Sequence, residues 1–250
     1  MLKFFRNLRK KLIEQNKVRK YLAYAIGEII LVVIGILIAL QVNNENDQRK
    51  ANKLEIKILK EIQINLQNDI LEIRSDIELM EDLTKGVTNI KDFIKLNDKP
   101  TDSFNRNCAL LRLTPHFNPI TSGFKLLQSQ GIGLVSNDSL RNAISFQYDM
   151  LYPYYKTYEE ERSRFHSMHS EPILLNYFSM YFNEQNSMYQ HGLFFETNTE
   201  DYLKLKEDKS FLKIITAISF ENEIIKSRAK KVENSIIELI ENISIELKNN

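Results

Sequence analysis

The order of apolar and polar side chains splits the chain early. Residues 21–42, YLAYAIGEIILVVIGILIALQV, carry a single charged side chain, Glu28. At 1.5 Å rise per residue, about 20 such positions cross a hydrocarbon core about 30 Å thick, so this stretch predicts a membrane-spanning helix. Beyond it, apolar residues recur at Leu59, Ile62, Leu66, Ile70, Ile73, Ile77, Met80 and Val87. Gaps averaging about 3.5 predict a long amphipathic helix reaching Leu96, continuous with the span. Its seam faces either the protein's own later helices or a second copy of the chain.

Residues 97–119 interrupt that pattern with Pro100, Pro115 and Pro119 and read as a loop around a short piece near Cys108. Asn118 and Pro119 read as a cap and a first-turn proline, opening a helix over 119–130 that Gly131 closes. Ser136, Asn137 and Asp138 offer the next cap, for a helix to about His169 bent at Pro153. Glu171 and Pro172 restart an apolar helix through Phe182. Residues 183–200 read as an irregular loop, with Thr199 capping a short turn. From about Asp208, the residues Phe211, Ile215, Ile218, Ile225, Ala229, Val232, Ile236, Leu239, Ile243 and Leu247 mark a second long helix. The expected fold class is all-α: a single N-terminal transmembrane helix continuing into an extracytoplasmic helical bundle with two long helices. It divides into a basic cytoplasmic arm (1–20), the span (21–42) and a helical domain (43–250).

Composition adds limits to this picture. Only 7 Gly and 5 Pro fall in 250 residues, which favours helices over a turn-rich β fold. A formal net charge of +1 supplies no global field for nucleic acid. Cys108 is the only cysteine, so no intrachain disulfide forms, and it reads as a small buried hydrophobe.

Charge is nevertheless uneven. Lys3, Arg6, Arg9, Lys10, Lys11, Lys17, Arg19 and Lys20 precede the span against one acid, Glu14. Positive residues abutting a span stay on the cytoplasmic side, so the N-terminus is expected inside and the C-terminal domain outside the inner (cytoplasmic) membrane, in the periplasm. Arg6, Arg9, Lys10, Lys11, Lys17, Arg19 and Lys20 are candidate lipid-headgroup contacts. Phe5, Leu8 and Leu12 recur among them as in an interfacial helix, although the cations also suffice as a topology signal. The apolar run exceeds a secretory h-region of about 7–15 residues and lacks a small-x-small site after it, so an uncleaved anchor is expected.

Candidate chemistry is sparse. Within the span, Ala23, Gly27, Gly35 and Ala39 recur in register with four-residue steps, interrupted by Leu31, and Glu28 lies beside them. Small residues let helices approach closely, and an ionisable group at membrane depth points to a partner helix or a proton path. The partners expected are therefore the bilayer and, through the span, a second copy of the chain or another membrane protein. His166 and His169 have a spacing that can place two imidazoles on one metal, but no further ligands accompany them, so no metal or cofactor is expected. Tyr152, Tyr154, Tyr155 and Tyr158 have mixed spacing and cannot all face one side. Glu159, Glu160, Glu161, Arg162 and Arg164 read as a solvated helix face. Phosphate loops, nucleophile elbows and kinase signatures are missing, so neither an enzyme nor a small-molecule substrate is expected.

Two stretches, KYLAYAIGEIILVVIGILIALQVNN and SGFKLLQSQGIGLVSNDSLRNAISFQYD, resemble an uncharacterised Bacteroidota family of N-terminally anchored helical proteins, the domain of unknown function 6090. The resemblance rests on Gly27 and Glu28 in the span and on Ser122, Gly123, Leu134, Asn137, Leu140 and Arg141 in a helical hairpin. It implies an anchored helical protein and supplies no activity. This chain has Glu45 after Asn43 and Asn44, where many members carry Trp. The function expected is a membrane-anchored envelope structural or interaction module. Alternatives are an accessory subunit of a membrane motor or transporter working through Glu28, and an extracytoplasmic ligand-sensing domain with a separate output partner.

Overall fold

The computed structural model describes residues 18–182 and 193–249. It is built almost entirely of helices, in two compact units: one ends at Glu55 and the other is Ile56–Asn250. Helix α1, Val18–Leu96, runs 79 residues and contributes to both.

In the second unit α1 pairs with the C-terminal helix, Lys209–Asn249, called α8 below. The two run antiparallel, because cross-links early in α1 meet late positions in α8. Gln63 Nε2 donates to Ser244 Oγ (2.7 Å), Arg74 Nε to Glu233 Oε1 (2.7 Å), and Asn222 Nδ2 to the Met80 carbonyl (2.7 Å). The seam expected on α1 is buried inside one chain: Leu59, Ile62, Leu66, Ile73, Ile77, Met80 and Val87 are all in the core. Opposite them lie Ile218, Ile225, Ala229, Val232, Ile236, Leu239 and Ile243. Asn222 fills the step between Ile218 and Ile225. It is buried and donates also to Thr84 Oγ1 (2.9 Å), a polar pin in an apolar seam that fixes how the helices align.

Short helices pack over this pair: α2 (Asp102–Leu110), α3 (Ser122–Gln130), α4 (Asp138–Ser145), α5 (Tyr152–Phe165), α6 (Glu171–Leu174) and α7 (Thr199–Glu207). Gly131 ends α3 at φ 90, where only glycine sits without strain. Asn137 caps α4 by accepting from the Leu140 N–H (3.2 Å).

Helices α4, α5 and α6 form one helical run, joined by π turns at Phe146–Leu151 and His166–Ser170. A proline follows each turn closely, Pro153 and Pro172. Proline lacks the N–H of a regular helix and its ring crowds the preceding turn, so a wider turn absorbs both defects. The single bend expected at Pro153 is thus two wide turns. They also explain why the helix does not break at His169.

Several expected boundaries move. Helix α3 starts at Ser122 rather than residue 119, because the N–H groups of His116, Phe117, Asn118 and Ile120 are engaged by side chains of other helices. The helix expected through Phe182 stops at Leu174, and Ser179–Phe182 is a strand, β1. It pairs antiparallel with β2, Leu193–Glu196, with Met180 opposite Phe195. Aromatic residues favour this pleated edge, and Phe178 stacks on Phe195 (5.2 Å between centroids). The cap of α7 is Asn198, one residue before Thr199. Phe93, Phe104, Tyr202 and Phe211 complete an aromatic core at this end, which also holds Cys108 fully buried.

Candidate functional site

Three features carry polar or interfacial chemistry. The first is the apolar stretch of α1. From Leu22 to Val42 its large aliphatic side chains are exposed, Leu31 at 70% and Ile29 at 64%, and this is one helix long and apolar enough to cross a membrane. Ala23, Gly35 and Ala39 are exposed, while Gly27 and Glu28 are half-buried. A Cβ added at Gly27 or Gly35 would meet nothing within 4 Å, so packing inside the described chain does not require either glycine. Arg19 is exposed and Lys20 is helical, whereas Arg6, Arg9, Lys10, Lys11 and Lys17 lie outside the described residues.

The second feature is a ladder of carboxyl and amide side chains on α1 that holds a non-helical strap, residues 115–120, and the start of α3. Pro115 and Pro119 keep this strap out of a helix, and its backbone N–H groups need acceptors. Helix α1 supplies them in descending order. His116 N donates to Asp76 Oδ1 (3.4 Å), Asn118 N to Glu72 Oε1 (3.1 Å), Ile120 N to Asp69 Oδ1 (2.8 Å) and Gly123 N to Asn65 Oδ1 (3.0 Å). Phe117 N points the other way and donates to Glu159 Oε1 on α5 (2.7 Å). Ser122 Oγ adds a bond to Asn65 Oδ1 (3.2 Å). Alternate N–H groups thus face opposite sides, as in a β-strand, but they pair with carboxylates instead of a neighbouring strand.

Behind the strap lies a row of phenols. Tyr152 donates to Asp69 Oδ2 (2.7 Å), and Tyr148 and Tyr155 are buried beside it. Burial holds Asp69 at about 6 against the lowering effect of the Ile120 and Tyr152 bonds. Asp76 is also held at about 6, by burial first and then by the charges of Glu159 and Glu72. Glu159 is raised by burial, against the lowering effect of the Phe117 bond and of Lys156, at 3.2 Å. Tyr155 is raised by burial and by the charges of Glu159 and Asp76. Asp76 Oδ2 and the Tyr155 hydroxyl are both buried and have no hydrogen-bond partner among the described residues.

The third feature surrounds the second π turn. Arg162 is 1% exposed, reaches the Leu111 carbonyl through Nη2 (3.4 Å), and is pulled down to about 10 by burial. One turn on, His166 is pulled down to about 4 by burial and by the guanidinium of Arg162. Ser170 Oγ donates to the His166 carbonyl (3.1 Å) and lies 2.9 Å from His166 Nδ1. Arg112 Nε pairs with Glu171 Oε1 nearby (3.0 Å).

These placements correct one expectation. Glu159 and Arg162 are buried rather than part of a solvated face. The tyrosines separate into opposed sets: Tyr152 and Tyr155 face the ladder, whereas Tyr154 and Tyr158 face outward under the Arg228 guanidinium (5.7 and 5.3 Å to the ring centroids). His166 is buried and His169 exposed against Phe165, so the two do not converge. Among the described residues no group of three or more His, Cys, Asp or Glu is placed to hold a metal ion.

The ladder was missed in the pattern of the chain. Its signal is present: Asn65, Asp69, Glu72 and Asp76 repeat with helical spacing alongside the apolar seam. The second stretch of the resemblance has a structural basis. Ser122 and Gly123 dock on Asn65, Asn137 caps α4 and donates to Glu246 Oε2 (2.7 Å), Leu140 is buried, and Arg141 Nη1 donates to the Val135 carbonyl (3.2 Å).

Fold and site together define a helical protein that joins a packed bundle with a buried polar layer to an exposed apolar helix. The chain belongs to the family of unknown function DUF6090, whose model matches residues 28–223. Neither a curated protein nor a solved structure matches it.

Proposed function

We propose that this protein is a membrane-anchored structural or interaction module of the cell envelope. Residues 21–42 cross the inner membrane, the basic arm stays in the cytoplasm, and the helical domain stands on the periplasmic side. The role is binding rather than catalysis. The observation that carries this reading is the run of exposed apolar side chains along α1 from Leu22 to Val42, in a chain whose second unit closes its own core. Exposed aliphatic surface on that scale is costly in water and satisfied in lipid.

Reporter fusions and alkaline extraction test it. A fusion after Asn250 should report the periplasm, and the chain should stay with the membrane pellet at high pH. Release into the supernatant, or a cytoplasmic report, overturns the proposal.

A second reading gains from the open space at Gly27 and Gly35. Here the span also packs on another span, either a second copy or a motor or transporter subunit, with Glu28 beside the contact. Small residues spaced by four favour such close, inclined crossings. Cross-linking in the same membranes separates an anchor from a paired span: an adduct lost in Gly27→Leu and Gly35→Leu supports pairing, and its absence in the unaltered chain refutes it.

A further inference from the structure

We propose that the groove between the run of α4 and α5 and the neighbouring α8 is a docking site for an amphipathic helix of another protein, one that carries a carboxylate in the middle of its apolar face. This deepens the reading of the chain as an interaction module and rests on it. The run and α8 pack side by side and antiparallel. Arg228 lies over Tyr154 and Tyr158, and further along α8 Ser235 donates to Gln147 Oε1 (2.6 Å), which precedes α5.

One wall of the groove is the outer stripe of the helical run. Phe146, Met150 and Tyr154 stand at four-residue steps and are exposed, Phe146 at 50% and Met150 at 61%, with Tyr158 half-buried at the next step. Phe146 and Met150 lie in the first π turn, a local irregularity that recurs at functional sites. The other wall is a flank of α8, where Phe220, 64% exposed, and the half-buried Ile224 precede Arg228 at the same spacing. A helix face turned to water is ordinarily polar, whereas aromatic residues, methionine and arginine are what the buried centres of protein interfaces favour.

Charge identifies the occupant. Arg74, Arg112 and Arg141 each pair with a carboxylate of this chain, but Arg228 has no acid within 4.0 Å among the described residues. Glu161 acts on the Tyr158 phenol and makes no ion pair with Arg228. The guanidinium is stacked on two rings, and its Nε is buried with no acceptor among the described residues. Stacking leaves the in-plane N–H groups of an arginine to take a carboxylate edge-on. Lys231, exposed one turn further along α8, adds a second positive charge.

The groove is thus cationic at its centre and apolar at its ends. Phe146 lies about 12 Å from Tyr154 in one direction, and Phe220 lies about 12 Å from Arg228 in the other, at 1.5 Å per residue. A partner helix of about four turns spans that length. An extended segment would leave its N–H and C=O groups unpaired against side-chain walls, whereas a helix satisfies its own and seats a ridge between two others. A second copy of this chain does not fit, since a two-fold contact centred on the groove brings Arg228 against its own counterpart. The basic N-terminal arm meets the same repulsion.

Photo-cross-linking of the full chain in its native membranes tests the groove. A benzophenone side chain in place of Phe146 should yield an adduct with a different protein, mapped to a helical segment with Asp or Glu amid apolar residues. The same group in place of Leu71, which is exposed on α1, should not give that adduct. Arg228→Glu should lower the yield at least ~10-fold, as expected when one member of a desolvated charge pair is reversed, and exchanging the mapped partner acid for lysine should restore it. Should Arg228→Glu not fold, Met150→Lys on the exposed wall should give the same loss. The proposal is overturned by no adduct, by an adduct only with lipid or with a second copy, by a mapped segment without an acid, by a yield unchanged in both variants, or by a charge exchange that restores nothing. Anchoring is read separately: a chain that stays in the membrane pellet with a periplasmic C-terminus but gives no adduct refutes the groove alone.

Discussion

Gly123 shows how one missing side chain permits a contact. A Cβ there would lie 2.9 Å from the Ile62 backbone nitrogen, the Ile62 Cγ1 and Asn65 Oδ1. The backbone of α1 cannot give way, so the start of α3 would lift off and its bond to Asn65 would lengthen. Gly123→Ala should lower stability by about 1–3 kcal/mol, the range for an overpacked core. Denaturant unfolding checks this: the midpoint falls with the slope unchanged. The same substitution at Gly27, where nothing lies within reach, serves as the comparison and should leave the midpoint in place.

At the scale of elements, the long helices were legible because one period, close to 3.5, persists through each of them. The seam on α1 and the row on α8 could be read off the chain, and so could the stops at Leu96 and Gly131. Short elements were less so. The pairing of β1 with β2 joins residues 11–17 apart, beyond the reach of a local pattern, and apolar residues at 173–182 fit a helix as well as a strand. The ladder was hidden for a related reason: side chains of α1 meet backbone groups about 50 residues later, and periodicity registers only which face is apolar.

Asn222 was likewise passed over as a gap between Ile218 and Ile225. Its two donors hold Met80 and Thr84. Asn222→Leu should change stability by less than about 1 kcal/mol, since burial of apolar surface offsets the lost bonds. Asn222→Asp should cost more than about 2 kcal/mol at neutral pH, because it buries a charge against two acceptors. Chemical denaturation at pH 7 distinguishes the two outcomes.

For the whole molecule, the division at Glu55 separates chain that covers itself from chain whose apolar side chains stay exposed. Residues 43–250 expressed alone should partition into the aqueous phase of a detergent separation and unfold in one cooperative transition, whereas the full chain should enter the detergent phase. Aggregation of the fragment, or detergent partitioning by it, would show that the exposed stretch is needed for the fold itself.

The two π turns carry a consequence for how this fold tolerates change. In a regular helix a step of four residues drifts about 40° around the axis. Arg162, His166, Ser170 and Leu174 are four residues apart in succession, and all are buried on one side. The wide turn at His166–Ser170 keeps that row in phase by resetting the angle. A one-residue deletion inside it would regularise the hydrogen bonding and improve the helix by any local measure. It would also swing Leu174 and the hairpin that follows out of alignment with the aromatic core. In this protein a locally imperfect helix is the condition for a globally consistent one.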